Sequence, residues 1–258
     1  MPTKLNDSPI YGPVMSRRMG LSLGVNLEPA DGKVCSFDCL YCECGLNEER
    51  RTTTPVPTAA QVAAALEGKL RELANEGARL DDISLAGNGE PTLNPEFPQI
   101  VDAVLTLRDE LAPTAQVTAI SNGTMAGHPD VHAALLHVDS NLFKLDTVDQ
   151  AYVDLLDRPR GAYDVRRQIE LAKSFGGHVT IQTMFLKGVV DGQDLDNTGD
   201  KYVGPWLDAL REIGPEAATI YTVDRDTPVA GLAKAPAATL DAIAERVRAL
   251  GIPCLVGY

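Results

Sequence analysis

The chain has 258 residues, of which 44% are hydrophobic and 23% charged, and its formal net charge at pH 7 is −13. This composition allows a sizeable α/β core, and no apolar run reaches the roughly 18 residues that a membrane span needs. The acidic balance argues against a broad nucleic-acid surface, because phosphate binding requires clustered Lys and Arg. Residues 1–13 lack the charged and apolar regions of a signal peptide, so we expect a cytoplasmic protein without a membrane partner.

Strands and helices alternate along the rest of the chain. Thr58 and Gln61 have capping-box spacing before an apolar stripe, which predicts the first helix. The alternation predicts βαβ units with a parallel sheet, and the lack of a G-x-G-x-x-G turn favours a closed or partly closed barrel. The predicted helices cover residues 58–76, 97–111, 129–137, 163–174, 202–213 and 240–250. The predicted strands cover residues 21–25, 82–86, 116–121, 142–146, 178–186, 218–223 and 252–256.

Three cysteines near the N-terminus form a C-x3-C-x2-C run, Cys35, Cys39 and Cys42, with Tyr41 directly before the last one. A cubic iron–sulfur cluster held by three thiolates leaves one iron open to another ligand. A zinc site would need a fourth ligand, and Cys44 is the candidate, although it follows Cys42 more closely than in the usual zinc knuckle. The odd total of five cysteines argues against a disulfide framework.

The cysteine run and the segments that follow it resemble the radical S-adenosylmethionine (SAM) superfamily. The resemblance implies an α/β fold, a partial (β/α)6 barrel of parallel strands in a single domain over 1–258. Within it, residues 1–30 would form an N-terminal arm, 31–50 the cluster loop and 51–258 the barrel. It also implies a [4Fe-4S] cluster ligated by the three cysteines, with SAM on the open iron. Reductive cleavage of SAM would give a 5′-deoxyadenosyl radical that abstracts hydrogen from a substrate.

Several segments that follow predicted strands look like the superfamily's SAM-binding elements. Residues 87–92 resemble the "GGEP" element that binds the amino end of SAM, with an asparagine in place of one glycine. Residues 121–124 resemble the "TNG" segment near the ribose or carboxylate of SAM. Both segments also fit ordinary turns. The predicted SAM-binding residues are Gly87, Asn88, Gly89, Glu90, Ser121, Asn122, Asp146 and Leu186.

Four cationic residues are candidate substrate contacts. Lys144 shares one face of its strand with Asp146, and Arg225 follows a later strand. Arg17 and Arg18 lie in a turn bounded by proline and glycine, in a segment that resembles Fe–S oxidoreductases related to the tRNA wybutosine synthases. For Arg225, the alternative is a surface loop with an Asp–Arg pair. For Arg17 and Arg18, the alternative is salt bridges that tie the N-terminal arm to an acidic barrel.

The resemblance therefore predicts a radical SAM enzyme of oxidoreductase or lyase type, with an external one-electron donor such as flavodoxin or ferredoxin. Its substrate is open: a small molecule, a peptide or a tRNA base. The alternatives are a glycyl-radical enzyme activase, a tRNA-base-modifying enzyme, and, in a different class, a zinc-stabilised binding module. No catalytic side chain is identified by the pattern.

Overall fold

The computed structural model describes residues 5–258, so the first four residues of the predicted N-terminal arm lie outside the described residues. The described chain forms two compact units. We call residues 5–36 and 47–141 the N-terminal unit, and residues 37–46 and 142–258 the C-terminal unit. The single domain expected over 1–258 stays a prediction.

The N-terminal unit contains a hairpin that continues into a parallel sheet. β1 (Ile10–Ser16) and β2 (Gly20–Val25) are antiparallel. β2 then pairs in parallel with β3 (Asp82–Leu85), and β3 with β4 (Gln116–Ser121). Because these three strands run in one direction, their carboxyl ends meet at one edge, where α/β folds bind ligands. The helices of this unit are α1 (Ala59–Asn75), α2 (Phe97–Leu111) and α3 (Pro129–His137).

Helix α1 shows how closely local sequence determines this part of the fold. Thr58 accepts the backbone N–H of Gln61, and the Gln61 side chain accepts the N–H of Thr58, which completes the predicted capping box. The apolar stripe packs inward, and each such side chain contributes about 1.5–3 kcal/mol on burial. The buried residues of the stripe are Val62, Leu66, Leu70 and Leu73.

The C-terminal unit contains a parallel sheet and a small antiparallel sheet. The parallel strands, in spatial order, are β5 (Ser140–Lys144), β6 (Thr180–Met184), β9 (Ala217–Tyr221) and β11 (Cys254–Gly257). Only the last three residues of β5 belong to this unit. In the antiparallel sheet, β7 (Leu186–Val190) lies between β10 (Leu232–Lys234) and β8 (Gln193–Asp194). The helices are α4 (Gln150–Leu156), α5 (Val165–Ser174), α6 (Asp200–Ile213) and α7 (Ala237–Arg248). Within residues 5–258, no helix has the length and apolar character to cross a membrane.

One predicted strand is divided in the structure, and several observed elements were not predicted. The strand expected over 178–186 is divided into β6 and β7, because the chain leaves the parallel sheet at Phe185, whose N–H donates to the carbonyl of Tyr221 (2.8 Å). Helix α4 was not predicted, since seven residues carry too little periodicity. Its N-cap is Asp149, which accepts the N–H of Tyr152 (3.2 Å).

Candidate functional site

In the C-terminal unit, the cysteine loop is attached to the end of α4. The N–H of Leu40 donates to the carbonyl of Leu156 (2.9 Å). The N–H of Cys42 donates to the carbonyl of Cys39 (3.1 Å), so these two predicted cluster ligands lie on one tight turn. Cys39 is 9% exposed. The loop therefore presents two thiols from a rigid backbone.

In the N-terminal unit, the segment leading to Cys35 pairs with the residues after β3. The N–H of Val34 donates to the carbonyl of Asn88 (3.3 Å), and the N–H of Glu90 donates to the carbonyl of Val34 (2.9 Å). These bonds form a parallel bridge between Val34 and Gly89. A Cβ at Gly89 would lie 1.9 Å from the Val34 carbonyl oxygen. Only glycine lets the two backbones approach this closely.

The side chain of Asn122 lies beside Cys35. Its Nδ2 faces the Cys35 Sγ at 3.7 Å and donates to the Oγ of Ser36 (2.9 Å). Its Oδ1 accepts the N–H and the hydroxyl of Thr124 (3.1 and 2.8 Å), which fixes the orientation of the amide. Hydrogen bonds to sulfur are one of the ways in which proteins tune iron–sulfur centres. The predicted "TNG" segment is thus in contact with the predicted cluster ligand of this unit.

Glu90 is a buried carboxylate that several donors hold in place. It is 2% exposed and accepts the hydroxyl of Ser121 (2.8 Å) and the backbone N–H groups of Asn122 (2.6 Å) and Thr92 (3.2 Å). Burial raises the pKa of Glu90, although these hydrogen bonds to the ionised form lower it in part. A carboxylate fixed at the carboxyl edge of the sheet is suited to binding a cationic group.

The other residues of the "GGEP"-like segment have structural contacts. A Cβ at Gly87 would lie 2.0 Å from the Oδ1 of Asn26. Asn88 is fully buried, and its Nδ2 donates to the carbonyls of Asn6 (2.8 Å) and Pro29 (2.9 Å). The amide that replaces a glycine of the family pattern therefore holds the N-terminal arm. Contact of Gly87 and Asn88 with SAM stays a prediction.

Sequence reasoning missed Glu28, which follows β2 as Glu90 follows β3. Glu28 is 3% exposed, and neither carboxyl oxygen has a hydrogen-bond partner among residues 5–258. The nearby N–H of Asn88 instead donates to Asn26 (2.9 Å). Burial, followed by the charge of Glu90, raises the pKa of Glu28 to about 8. The only sequence signal was an acidic residue directly after an apolar strand.

The C-terminal unit contains a buried cluster of Lys144, Asp146, Asp157 and Tyr41. The Nζ of Lys144 contacts Asp146, the hydroxyl of Tyr41 and the Oδ1 of Asp157 (2.9 Å). The Tyr41 hydroxyl also donates to Asp146. Burial opposes the charge on Lys144, but the two carboxylates outweigh burial and raise its pKa above the usual range. The predicted SAM contact Asp146 and the predicted substrate contact Lys144 are therefore engaged with each other.

Asp157 connects this cluster to the cysteine loop, and no sequence pattern marked it. Its backbone carbonyl accepts the N–H of Asp38 (3.0 Å), the residue before Cys39. Burial raises the pKa of Asp157 to about 7, although the charge of Lys144 lowers it. The Nζ of Lys144 also lies 4.8 Å from the centroid of the Tyr41 ring, a cation–π distance. The tyrosine of the cysteine run is thus part of the same buried network.

The remaining predicted contacts are more peripheral. Arg225 is exposed, and its Nη1 contacts the Oε2 of Glu43 in the cysteine loop (2.8 Å). This salt bridge joins Arg225 to the cysteine loop and not to an aspartate of its own loop, and contact of Arg225 with substrate stays a prediction. Leu186 is fully buried, and its N–H donates to the Oδ1 of Asn197 (2.9 Å). Contact of Leu186 with the adenine of SAM stays a prediction.

The structure places Arg17 and Arg18 at the other end of the sheet from Glu90. They lie in the turn between β1 and β2, at the amino end of β2, where Ser22 is in register with Asp82, the first residue of β3. At about 3.3 Å per residue, the length of β2 separates this turn from the carboxyl edge by about 20 Å. The two arginines therefore lie far from Glu90, and their contact with substrate stays a prediction.

The chemistry of the cysteine donors fits an iron–sulfur cluster. Within residues 5–258, no three His, Cys, Asp or Glu side chains are grouped closely enough to hold one ion. Thiolates with an amide donor beside the sulfur, as at Cys35, are typical cluster ligands.

Comparison with known proteins gives a consistent result. The family model described as the radical SAM superfamily matches residues 31–200, more than half of the chain. A UPF0026 protein of Helicobacter pylori (strain J99) is 28% identical over 220 residues, which are 84% of this chain and 66% of that protein. The chain therefore spans just under two thirds of this relative's length.

Two solved structures share the fold. A radical SAM methyltransferase from Sphaerobacter thermophilus superposes with a TM-score of 0.66 and 20% identity, over 91% of this chain and 65% of that chain. SuiB of Streptococcus suis, solved with bound S-adenosylmethionine, has a TM-score of 0.63 and 18% identity, over 90% of this chain and 50% of that chain. This likeness confirms the predicted fold class, an α/β fold of the partial-barrel type with parallel strands.

Proposed function

Because this chain belongs to the radical SAM superfamily, we propose that it is an enzyme that binds SAM and a [4Fe-4S] cluster and abstracts hydrogen from a substrate. Cys35, Cys39 and Cys42 would hold the cluster, which when bound supplies the electron that cleaves SAM to methionine and a 5′-deoxyadenosyl radical. The contact between the Asn122 amide and Cys35 carries the proposal, because it links the cysteine run to the "TNG"-like segment. The chain's own residues would bind and orient SAM and exclude water.

Glu90 is the residue that we propose for the amino end of SAM. Its carboxylate is buried and held by Ser121 and by the N–H of Asn122, so it would meet an ammonium group without reorganising. Glu90→Gln keeps the shape and removes the charge. We expect at least tenfold weaker SAM binding by calorimetry, with unchanged iron content. Wild-type SAM affinity in this variant would place the amino group elsewhere.

For the substrate, we favour a small molecule or a peptide over tRNA. The formal net charge is −13, and a polyanion requires cations that are available to pair with phosphates. Three cations around β7 and β10 already contact carboxylates: Arg225 contacts Glu43, Lys187 contacts Asp196, and Lys234 contacts Asp224. A tRNA would have to break these pairs. Salt-dependent binding of tRNA in the micromolar range would favour the tRNA-modifying alternative instead.

The test of the proposed function is anaerobic reconstitution with iron and sulfide. We expect a brown protein with about four iron atoms per chain, which forms 5′-deoxyadenosine from SAM when a strong one-electron reductant is added. A protein that stays colourless and carries one zinc per chain would support the zinc-stabilised module. A SAM-binding, cluster-loaded protein that forms no 5′-deoxyadenosine would contradict the radical reaction.

A further inference from the structure

The ion cluster beside Cys39 has a role that the binding of SAM does not explain. We propose that Lys144 is a positioning residue that sets the electrostatic environment of the cysteine-bound cluster. It would do so by balancing the charges of Asp146 and Asp157 next to the cysteine thiolates. This inference rests on the proposed function, because it assumes that the cysteines hold an iron–sulfur cluster.

The charged side chains of this ion cluster are buried. The side chain of Lys144 is 9% exposed, and those of Asp146 and Asp157 are 0% and 3% exposed. Buried charges interact far more strongly than surface charges, because little water screens them. Removing one member leaves its partners uncompensated, which is strongly unfavourable in a protein interior. The cluster is thus a set of coupled charges whose balance depends on one lysine.

The ion cluster lies next to the segment that carries Cys39 and Cys42. Asp157, which Lys144 contacts at 2.9 Å, also accepts at its backbone carbonyl the N–H of Asp38 (3.0 Å), the residue before Cys39. Tyr41, whose ring lies 4.8 Å from the Nζ of Lys144, directly precedes Cys42. Lys144 is therefore coupled to the cysteine loop through Asp157 beside Cys39 and through Tyr41 beside Cys42.

The signs of these charges predict the direction in which each substitution shifts the midpoint potential of the iron–sulfur cluster. Reduction adds an electron to the iron–sulfur cluster, and a nearby positive charge favours this step, whereas an uncompensated negative charge opposes it. Lys144→Met should therefore shift the midpoint potential to more negative values. Asp146→Asn removes a negative charge and should shift it to more positive values. Asparagine at position 146 retains the oxygen that accepts the N–H of Met184 (2.8 Å).

The experiment compares Lys144→Met, Lys144→Arg and Asp146→Asn as reconstituted full-length proteins. Iron content is measured first, and the midpoint potential is then followed by the EPR signal of the reduced cluster. We expect opposite shifts for Lys144→Met and Asp146→Asn, with Lys144→Arg close to wild type. Arg108→Met in α2 is the control. It removes a cation of similar burial, 11% exposed, that pairs with Asp139, and it should leave the potential unchanged.

The outcomes separate this inference from the proposed function. A wild-type protein that takes up no iron contradicts the proposed function itself. If the wild type binds the cluster but the midpoint potentials of Lys144→Met and Asp146→Asn are unshifted, or shift with the same sign, the role of Lys144 is overturned and the proposed function is not. If Lys144→Met does not fold, the other two variants still test the inference. Only an electrostatic role predicts a positive shift for Asp146→Asn together with a wild-type midpoint potential for Lys144→Arg.

Discussion

The substitution Gly89→Ala tests how the N-terminal unit holds the segment that carries Cys35. The new Cβ would lie 1.9 Å from the carbonyl oxygen of Val34, where contacts below 3.0 Å are essentially never seen, so the two backbones must separate by about 1 Å. Separation weakens two hydrogen bonds, each worth about 1 kcal/mol, and adds about 1–3 kcal/mol of overpacking. We expect the free energy of unfolding to fall by about 2–5 kcal/mol, a large part of a typical 5–15 kcal/mol.

The assay is urea unfolding of the apoprotein, followed by the fluorescence of the single tryptophan, Trp206. Iron content after reconstitution should fall as well, because Cys35 follows the displaced residue. The matched control is Gly68→Ala in α1, where the new Cβ meets nothing within 4 Å and a helix gains about 1 kcal/mol from alanine. If Gly89→Ala unfolds within 1 kcal/mol of wild type and binds full iron, the steric reasoning is wrong.

Further predictions concern two acids and two cysteines. The pKa of Glu28 is raised from 4.5 to about 8 in the folded protein, so stability is lost as pH rises through this range. Glu28→Gln should remove that loss and be more stable at pH 8 by up to about 4 kcal/mol, and parallel pH profiles of the free energy of unfolding would refute this. The hydroxyls of Thr52, Thr53 and Thr54 hold the pKa of Asp31 below its usual range. The stability that ionised Asp31 gives to the folded state is therefore present above about pH 4 and is lost as pH falls. Asp31→Ala should therefore speed limited digestion of the cysteine loop by trypsin at pH 7, and equal digestion rates for the variant and the wild type would contradict this. Cys42→Ala should lose most of its iron and Cys254→Ala none, and equal iron contents would remove Cys42 from the ligand set.

Local pattern predicted the elements whose formation depends on near neighbours in sequence. Helices α2 and α3 and strand β4 have the predicted bounds, because their apolar periodicity lies within one continuous segment. Strand β5 ends at Lys144, two residues earlier than expected, which leaves Asp146 beyond the strand. Where a strand exchanges partners, as at Phe185, the deciding contact is with another strand. Local sequence patterns cannot predict that contact, because the two strands are far apart in the chain.

The family could be predicted from the sequence alone, because its motifs each lie within one short segment of the chain. These motifs are three cysteines at fixed spacing and the glycine-rich segments after two strands. Tertiary structure decided what each charge near the site can do. Lys144 and Asp157 are 13 positions apart in the chain and in contact in the fold, and the unpartnered carboxyl of Glu28 is recognisable only by its burial. Arg17 and Arg18, by contrast, lie at the wrong end of β2 to meet Glu90. Pairing and burial depend on which segments the fold brings together, so they follow from the packed structure and not from spacing along the chain.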